Sequence, residues 1–204
     1  MRRKALVHAL SLALLLPALS AVAAAEVAVY KVDRDHSGVS FTIRHFVTNV
    51  PGRFKVFDGA IKYDKQNPAA STVSFTIQAA SIDTDNADRD NHLRGADFFD
   101  VQKFPTITFS STSVKPVDAD TLEVTGDLTM HGVTKKVTVP VEVLGSMKTP
   151  RGEKAGFETT FKVDRKEYGI TWNRALDAGG AVLGDDVKIT IAVEADRQAE
   201  QPAK

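Results

Sequence analysis

The chain has 204 residues, 26 Lys+Arg against 26 Asp+Glu, 43% hydrophobic residues and no cysteine. Balanced charge argues against nucleic acid as a partner, because such proteins need a basic face to neutralise phosphates. The absence of cysteine excludes disulfides and thiolate metal sites, so stability has to come from a core, and the length suffices for one domain with a sizeable one.

Residues 1–25 read as a cleaved signal peptide. Arg2, Arg3 and Lys4 form a basic start, residues 9–19 are apolar except for Ser11 and Pro17, and Ala23-Ala24-Ala25 supplies the small residues that signal peptidases cut after. The apolar run falls short of the roughly 20 residues that span a bilayer. Setting aside residues 1–25, with three basic and no acidic side chains, leaves 23 basic against 26 acidic residues, about −3. The expectation is an exported, soluble protein with one domain over residues 26–196 and a polar, flexible tail over 197–204.

From Val27 onward, short alternating runs are punctuated by turn residues. Strands are predicted over 27–33 and 37–45, the second with Phe41, Ile43 and His45 on one face. Asn49-Val50-Pro51-Gly52 reads as a turn. The long run 54–63 slips phase once, between Val56 and Phe57, as a β-bulge would, and bulges bend barrels shut. Residues 72–78 alternate cleanly around Phe75.

The segment 88–105 breaks the alternation. Asp88 suits a helix cap and Asp90 its first turn, Leu93, Ala96 and Phe98/Phe99 form one apolar stripe, and Pro105 stops the helix. Strands resume at 106–111, with Phe109, and at 122–130, with Gly126, Leu128 and Met130 in one row. His131-Gly132 makes a tight connection to 133–144, and strands at 157–163, with Phe161, and 187–193, with Ile191, complete the set. Eight or nine strands without long crossover helices exclude a parallel α/β fold. The choice is an antiparallel sandwich or barrel, and long strands with a Phe-, Ile- and Val-rich inner row favour an eight-stranded barrel with the helical segment over one opening.

Little in the chain signals catalysis. His36, His45, His92 and His131 are scattered and form no metal-ligating pair. Ser37 follows His36 but lacks the Gly-x-Ser-x-Gly elbow of a nucleophile. Adjacent acids such as Asp185 and Asp186 are ordinary in turns. No catalytic residue, metal ligand or required cofactor is predicted, although an enzyme or metal site at the barrel mouth built from His36, His45 and His92 stands as the alternative. The positive signal is eleven phenylalanines beside Trp172. Strand phase alone does not separate a packed aromatic interior from a cavity lining.

Several blocks then carry a resemblance: His36-Ser37 with Phe41 and Arg44-His45; Gly52-x-Phe54 with Phe57-x-Gly59; Ser81-Ile82-x-Thr84. Arg89-Asp90-x-His92-Leu93, Asp97-Phe98-Phe99-Asp100 and Phe104-Pro105 follow. Gly126-x-Leu128-Thr129-x-x-Gly132-Val133-Thr134, Arg165-x-x-Tyr168-Gly169-Ile170 and Gly184-Asp185-x-Val187 complete them. In order and spacing the chain resembles the YceI-like family of periplasmic, lipocalin-like, polyisoprenoid-binding proteins.

The resemblance implies an eight-stranded antiparallel barrel whose tunnel holds an isoprenoid-chain lipid such as a quinone or polyprenol, and a homodimer with transient membrane contact. A fatty-acid-like amphiphile is the other ligand class. The residues expected to line the tunnel are Phe41, Ile43, His45, Phe75, Phe98, Phe99, Phe109, Leu128, Met130, Phe161, Trp172 and Ile191. His45 suits either a lipid head group or a rim hydrogen bond. Gly126, Gly132, Gly169 and Gly184 read as turns or bulges, and Arg89, Asp90, Arg165 and Asp186 as one charged network fixing the helix and the 168–173 loop.

Overall fold

A computed structural model describes residues 27–174 and 182–199; the expected signal peptide and most of the expected tail lie outside these residues. Strand β1 (Ala28–His45) is the seam of the sheet. Two separate strands are expected here, yet the chain runs through, because its register against β10 (Leu183–Arg197) shifts between Asp33 and Gly38. Ser37 bridges the irregularity: its hydroxyl donates to Glu194 O at 3.1 Å and accepts from Glu194 N at 3.0 Å. The hydroxyl thus supplies bonds that the displaced backbone cannot, which is a structural task for that serine.

The turn expected at residues 49–52 is in fact strand β2 (Thr48–Phe54), paired with β1 from His45↔Thr48 to Val39↔Phe54. Reversal occurs earlier, at Phe46-Val47, with Phe46 at φ +48°. Pro51 is tolerated because only Arg53 and Phe54 of β2 pair on its other edge. The run 54–63, expected as one strand with a bulge, is instead broken: Lys55 and Val56 separate β2 from β3 (Phe57–Tyr63), which continues along the first half of β1.

Strands β4 (Thr72–Gln78), β6 (Thr106–Pro116), β7 (Thr121–Met130), β8 (Val133–Thr149) and β9 (Gly152–Asp164) follow, with the two-residue β5 (Ile82–Asp83) pairing β2. Every pairing is antiparallel, and β10 closes on β1. Since β2 and β3 together form one bent stave and β5 is an appendage, the wall is the expected closed eight-stranded, lipocalin-like antiparallel barrel.

Helix α1 (Ala87–Arg94) is shorter than expected. Asn86, not Asp88, caps it, accepting from Arg89 N at 2.9 Å. It ends at Gly95, so Phe98 and Phe99 lie in the turns beyond, tied by Phe98 N–H to Gly95 O (3.1 Å) and Phe99 N–H to Leu93 O (3.0 Å). Glycine ends the helix before the aromatic pair because its backbone freedom makes continuation costly.

The registers define two ends. One carries Ala28, Arg197 and the 64–71, 117–120 and 150–151 connections. The other carries the Phe46-Val47 hairpin, α1, the His131-Gly132 turn and residues 165–172. We call these the floor and the mouth.

Candidate ligand cavity

Alternation along each strand turns one row of side chains inward. In β7 the buried row is Leu122, Val124, Gly126, Leu128 and Met130, with the intervening residues more exposed. Eight such rows enclose an apolar cavity of about 600 Å³ that reaches from Tyr63, Val124 and Phe157 near the floor to His92, Phe99 and Trp172 at the mouth. A volume of that size is in the range of sites that bury small organic ligands.

All twelve residues expected to line a tunnel line this cavity: Phe41, Ile43, His45, Phe75, Phe98, Phe99, Phe109, Leu128, Met130, Phe161, Trp172 and Ile191. The prediction omitted other wall residues, among them Val50, Val73, Leu183 and Ile189. Val50 was hidden because its segment reads as a turn. The others belong to the same period-two rows, and extending each row to its ends would have found them.

The floor is aromatic. Phe157 meets Tyr30 edge-on at 6.4 Å and Tyr63 at 5.7 Å between ring centroids. Tyr30 Oη donates to Glu153 Oε1 at 2.9 Å, and Glu153 also accepts from Arg197 at 2.9 Å. Burial first, then the hydrogen bond to Glu153, pushes the Tyr30 phenol up to about 12.

The mouth is built by segments outside the wall. Phe99 packs edge-on against Phe54 at 5.8 Å, and Phe98, His92 and Trp172 form a mutual cluster with centroids 5.0 to 5.2 Å apart. His92 also contacts Asp97 at 2.9 Å. Buried Arg165 fixes the Trp172 side of the opening. Its guanidinium donates to Ile170 O at 2.7 Å, Trp172 O at 2.8 Å, Gly184 O at 2.9 Å and Asp185 at 3.3 Å. Burial lowers its pKa, with Asp185 and Asp164 opposing.

The three histidines of the alternative site do not meet. His45 and His92 are at the mouth, whereas His36 lies at the β1 bulge with its ring 2.8 Å from Asp33. Among the described residues the one group with metal-ligand spacing is Asp33, His36 and Glu194. Lys154 Nζ already stands in it, 3.0 Å from Asp33 and 2.8 Å from both Glu194 and Asp196. Its ammonium occupies the place between the carboxylates and offsets part of the negative charge that would draw a metal ion.

The YceI-like domain profile matches residues 30–195, nearly the whole barrel. The chain belongs to the YceI-like family. Protein YceI of Escherichia coli is 42% identical over 200 residues, covering 96% of this chain and 99% of its own. Crystalline BcnA of Burkholderia cenocepacia superimposes with a TM-score of 0.72 at 27% identity, over 80% of this chain and 98% of its own. A polyisoprenoid-binding domain from Saccharophagus degradans shares the fold, with a TM-score of 0.63 at 16% identity, over 85% of this chain and 100% of its own.

The YceI-like motif residues resolve into separate devices, not one charged network. Asp90 accepts from the Thr84 N–H (2.9 Å) and hydroxyl, and Arg89 donates to Thr84 Oγ1 (2.8 Å) and Thr84 O (2.7 Å), so this pair anchors α1 to the preceding segment. Arg165 works on the other side of the mouth, and its acidic neighbour is Asp185; Asp186 pairs with Asp164 in the β9–β10 ladder. Gly132 and Gly169, at φ +75° and +76°, are turn positions as expected. Gly184 lies where the β1–β10 register slips. Gly126, inside β7 beneath Phe109, faces the β6–β7 register shift, where Thr112 is the extra residue between the Ser111↔Gly126 and Ser113↔Thr125 pairs.

Proposed function

We propose that this YceI-like protein is a non-catalytic periplasmic carrier that holds an isoprenoid-chain lipid, of the polyprenol or quinone type, in the barrel lumen. The observation that carries the reading is the apolar cavity of about 600 Å³ running from floor to mouth. The polyisoprenoid-binding domain from Saccharophagus degradans, built on the same fold, adds the chain type. Each CH₂ taken from water contributes about 0.8 kcal/mol, so a prenyl chain reaches micromolar affinity or better after ordering and association costs. No cofactor is needed for that.

His45, on the cavity wall at the mouth, is placed to offer a hydrogen bond to a head group. The next two residues, Phe46 and Val47, are 49% and 86% exposed, and they form the hairpin tip where the carrier would touch a bilayer. Flotation with phospholipid vesicles tests that contact: wild-type protein should rise with the vesicles and a Val47→Asp variant should not. The homodimer implied by family resemblance is read by light scattering on the same preparation.

The deciding experiment is solvent extraction and mass spectrometry of protein purified from its native compartment. A stoichiometric prenyl-chain species supports the proposal. A stoichiometric straight-chain fatty acid or amide would replace the ligand class, and an empty, folded protein would sink the carrier reading.

A further inference from the structure

Three phenylalanines of the wall, Phe41, Phe75 and Phe109, lie against glycines of the neighbouring strand. Gly52 is the cross-strand partner of Phe41 and Gly59 that of Phe75, while Gly126 lies diagonal to Phe109, whose direct partner is Leu128. In each case the ring occupies the space a side chain would need. A β-carbon on Gly52 would fall 2.7 and 2.8 Å from the two Cε atoms of Phe41. One on Gly59 would fall 2.6 Å from Phe75 Cδ2, and one on Gly126 2.7 Å from Phe109 Cε2. The rings are therefore laid along the wall and not across the bore. Any residue larger than glycine would lift them into the lumen by about 1 Å, since carbon atoms settle at roughly 3.5–4.0 Å.

We infer that these inward-facing glycines set the bore of the lumen and thereby its preference for a methyl-branched prenyl chain over a straight alkyl chain. The inference rests on the lipid-carrier reading and assigns its selectivity to named positions. A prenyl chain carries a methyl branch on every repeat and needs a wider channel than an unbranched chain of equal carbon count. Cross-strand glycines under phenylalanine rings provide that width while the wall stays continuous.

Gly52 offers the clean test. Its three nearest atoms all belong to the Phe41 ring, whereas a β-carbon at Gly59 or Gly126 also meets a backbone oxygen, Ser74 O at 3.0 Å or Ser110 O at 2.5 Å. Gly52→Ala thus moves a ring; the other two changes push on the sheet itself.

Affinities for geranylgeraniol and for eicosanol, alcohols of equal carbon count, would be measured on wild type, Gly52→Ala and the double variant Phe41→Leu/Gly52→Ala, each checked for a native melt. Wild type should prefer geranylgeraniol. Gly52→Ala should lose about tenfold to a hundredfold for geranylgeraniol, with eicosanol changed by no more than about threefold, the scale of methyl-sized differences in apolar pockets. Trimming the ring in the double variant should restore most of the loss. Equal losses for both alcohols, an unchanged affinity in folded Gly52→Ala, or no recovery in the double variant overturns the inference. Wild-type protein that takes both alcohols equally removes the selectivity claim alone; wild-type protein that takes neither removes the carrier reading and this inference with it.

Discussion

The floor and the mouth close the same barrel by different means. At the floor, Tyr30, Tyr63 and Phe157 come from β1, β3 and β9, so the plug is part of the wall, and Glu153 ties Tyr30 to Arg197 across neighbouring strands. At the mouth, Phe98, Phe99 and Trp172 come from turns and connections and are held by arginines that bond to backbone carbonyls. Arg94 donates to Ala80 O and Ile82 O at 2.8 Å each, and Arg165 to Ile170 O and Trp172 O. A sheet-borne plug opens only if the sheet does. A clamped cover opens when its clamp lets go. A ligand of the lumen would enter at the end whose closure can loosen without breaking the barrel.

The largest expected effect breaks the clamp. Arg165→Met leaves the carbonyls of Ile170, Trp172 and Gly184 without their donor, and orphaned buried polar groups cost about 1–3 kcal/mol each before relaxation. We expect a loss of about 3–5 kcal/mol, the scale for removing one partner of a buried charged network. Urea denaturation measures it. Trp172 is the only tryptophan, so its emission reports the mouth directly and should shift to the red in the native baseline. Unchanged emission together with stability within about 1 kcal/mol would show that the clamp does not hold the cover.

A smaller effect is expected at the floor. Phe157→Leu removes ring contacts with Tyr30 and Tyr63 and should cost about 1–2 kcal/mol, below the 3–5 typical of truncating a buried phenylalanine to alanine. Trp172 emission should stay as in wild type, because the change is confined to the other end. The cavity deepens, so mass spectrometry of the bound lipid should find longer chains retained. A shift of Trp172 emission in this variant would mean that the two ends are coupled and do not close independently.

What the sequence disclosed follows the same division. The barrel and its inner rows were legible because strand alternation repeats at every stave; Leu122 to Met130 reads inward without ambiguity. The break at Lys55-Val56 was legible as a phase slip. The mouth was legible only in outline, as a helical segment with Phe98, Phe99 and Trp172 over one opening, because its pieces obey local signals that admit more than one outcome. Pro51-Gly52 has turn composition, yet that glycine is there to receive the Phe41 ring. Gly95 ends α1 before the aromatic pair, which period-based reading placed on the helix. The Arg165 clamp acts on backbone carbonyls, and no side-chain pattern announces such partners. Likewise His36 belongs to a charge cluster with Lys154 and Glu194, residues more than a hundred positions away in the chain.

That cluster supplies the smallest effect and a control on the floor side of the barrel, away from the mouth: its Lys154 and Asp196 adjoin the floor residues Glu153 and Arg197. The hydrogen bond to Asp33 raises the His36 pKa first, attraction to Asp33 and Glu194 adds to it, and Lys154 opposes it. A group whose pKa is higher folded than unfolded stabilises the fold fully below its unfolded value, about 6.5 for histidine. The contribution fades as pH climbs through the raised folded value. Asp33 has the opposite sense: its carboxyl is held well below the usual range by His36 and then Lys154, so its contribution is lost only in acid. The ring is 65% exposed, which keeps the effect small. Thermal melts of His36→Ala against wild type should therefore differ slightly near pH 6 and converge by about pH 9. Trp172 emission should be the same in both proteins across that range. A gap between the two melts that is constant with pH would mean that His36 contributes through packing at the bulge, and its charge would carry no part of the seam's stability.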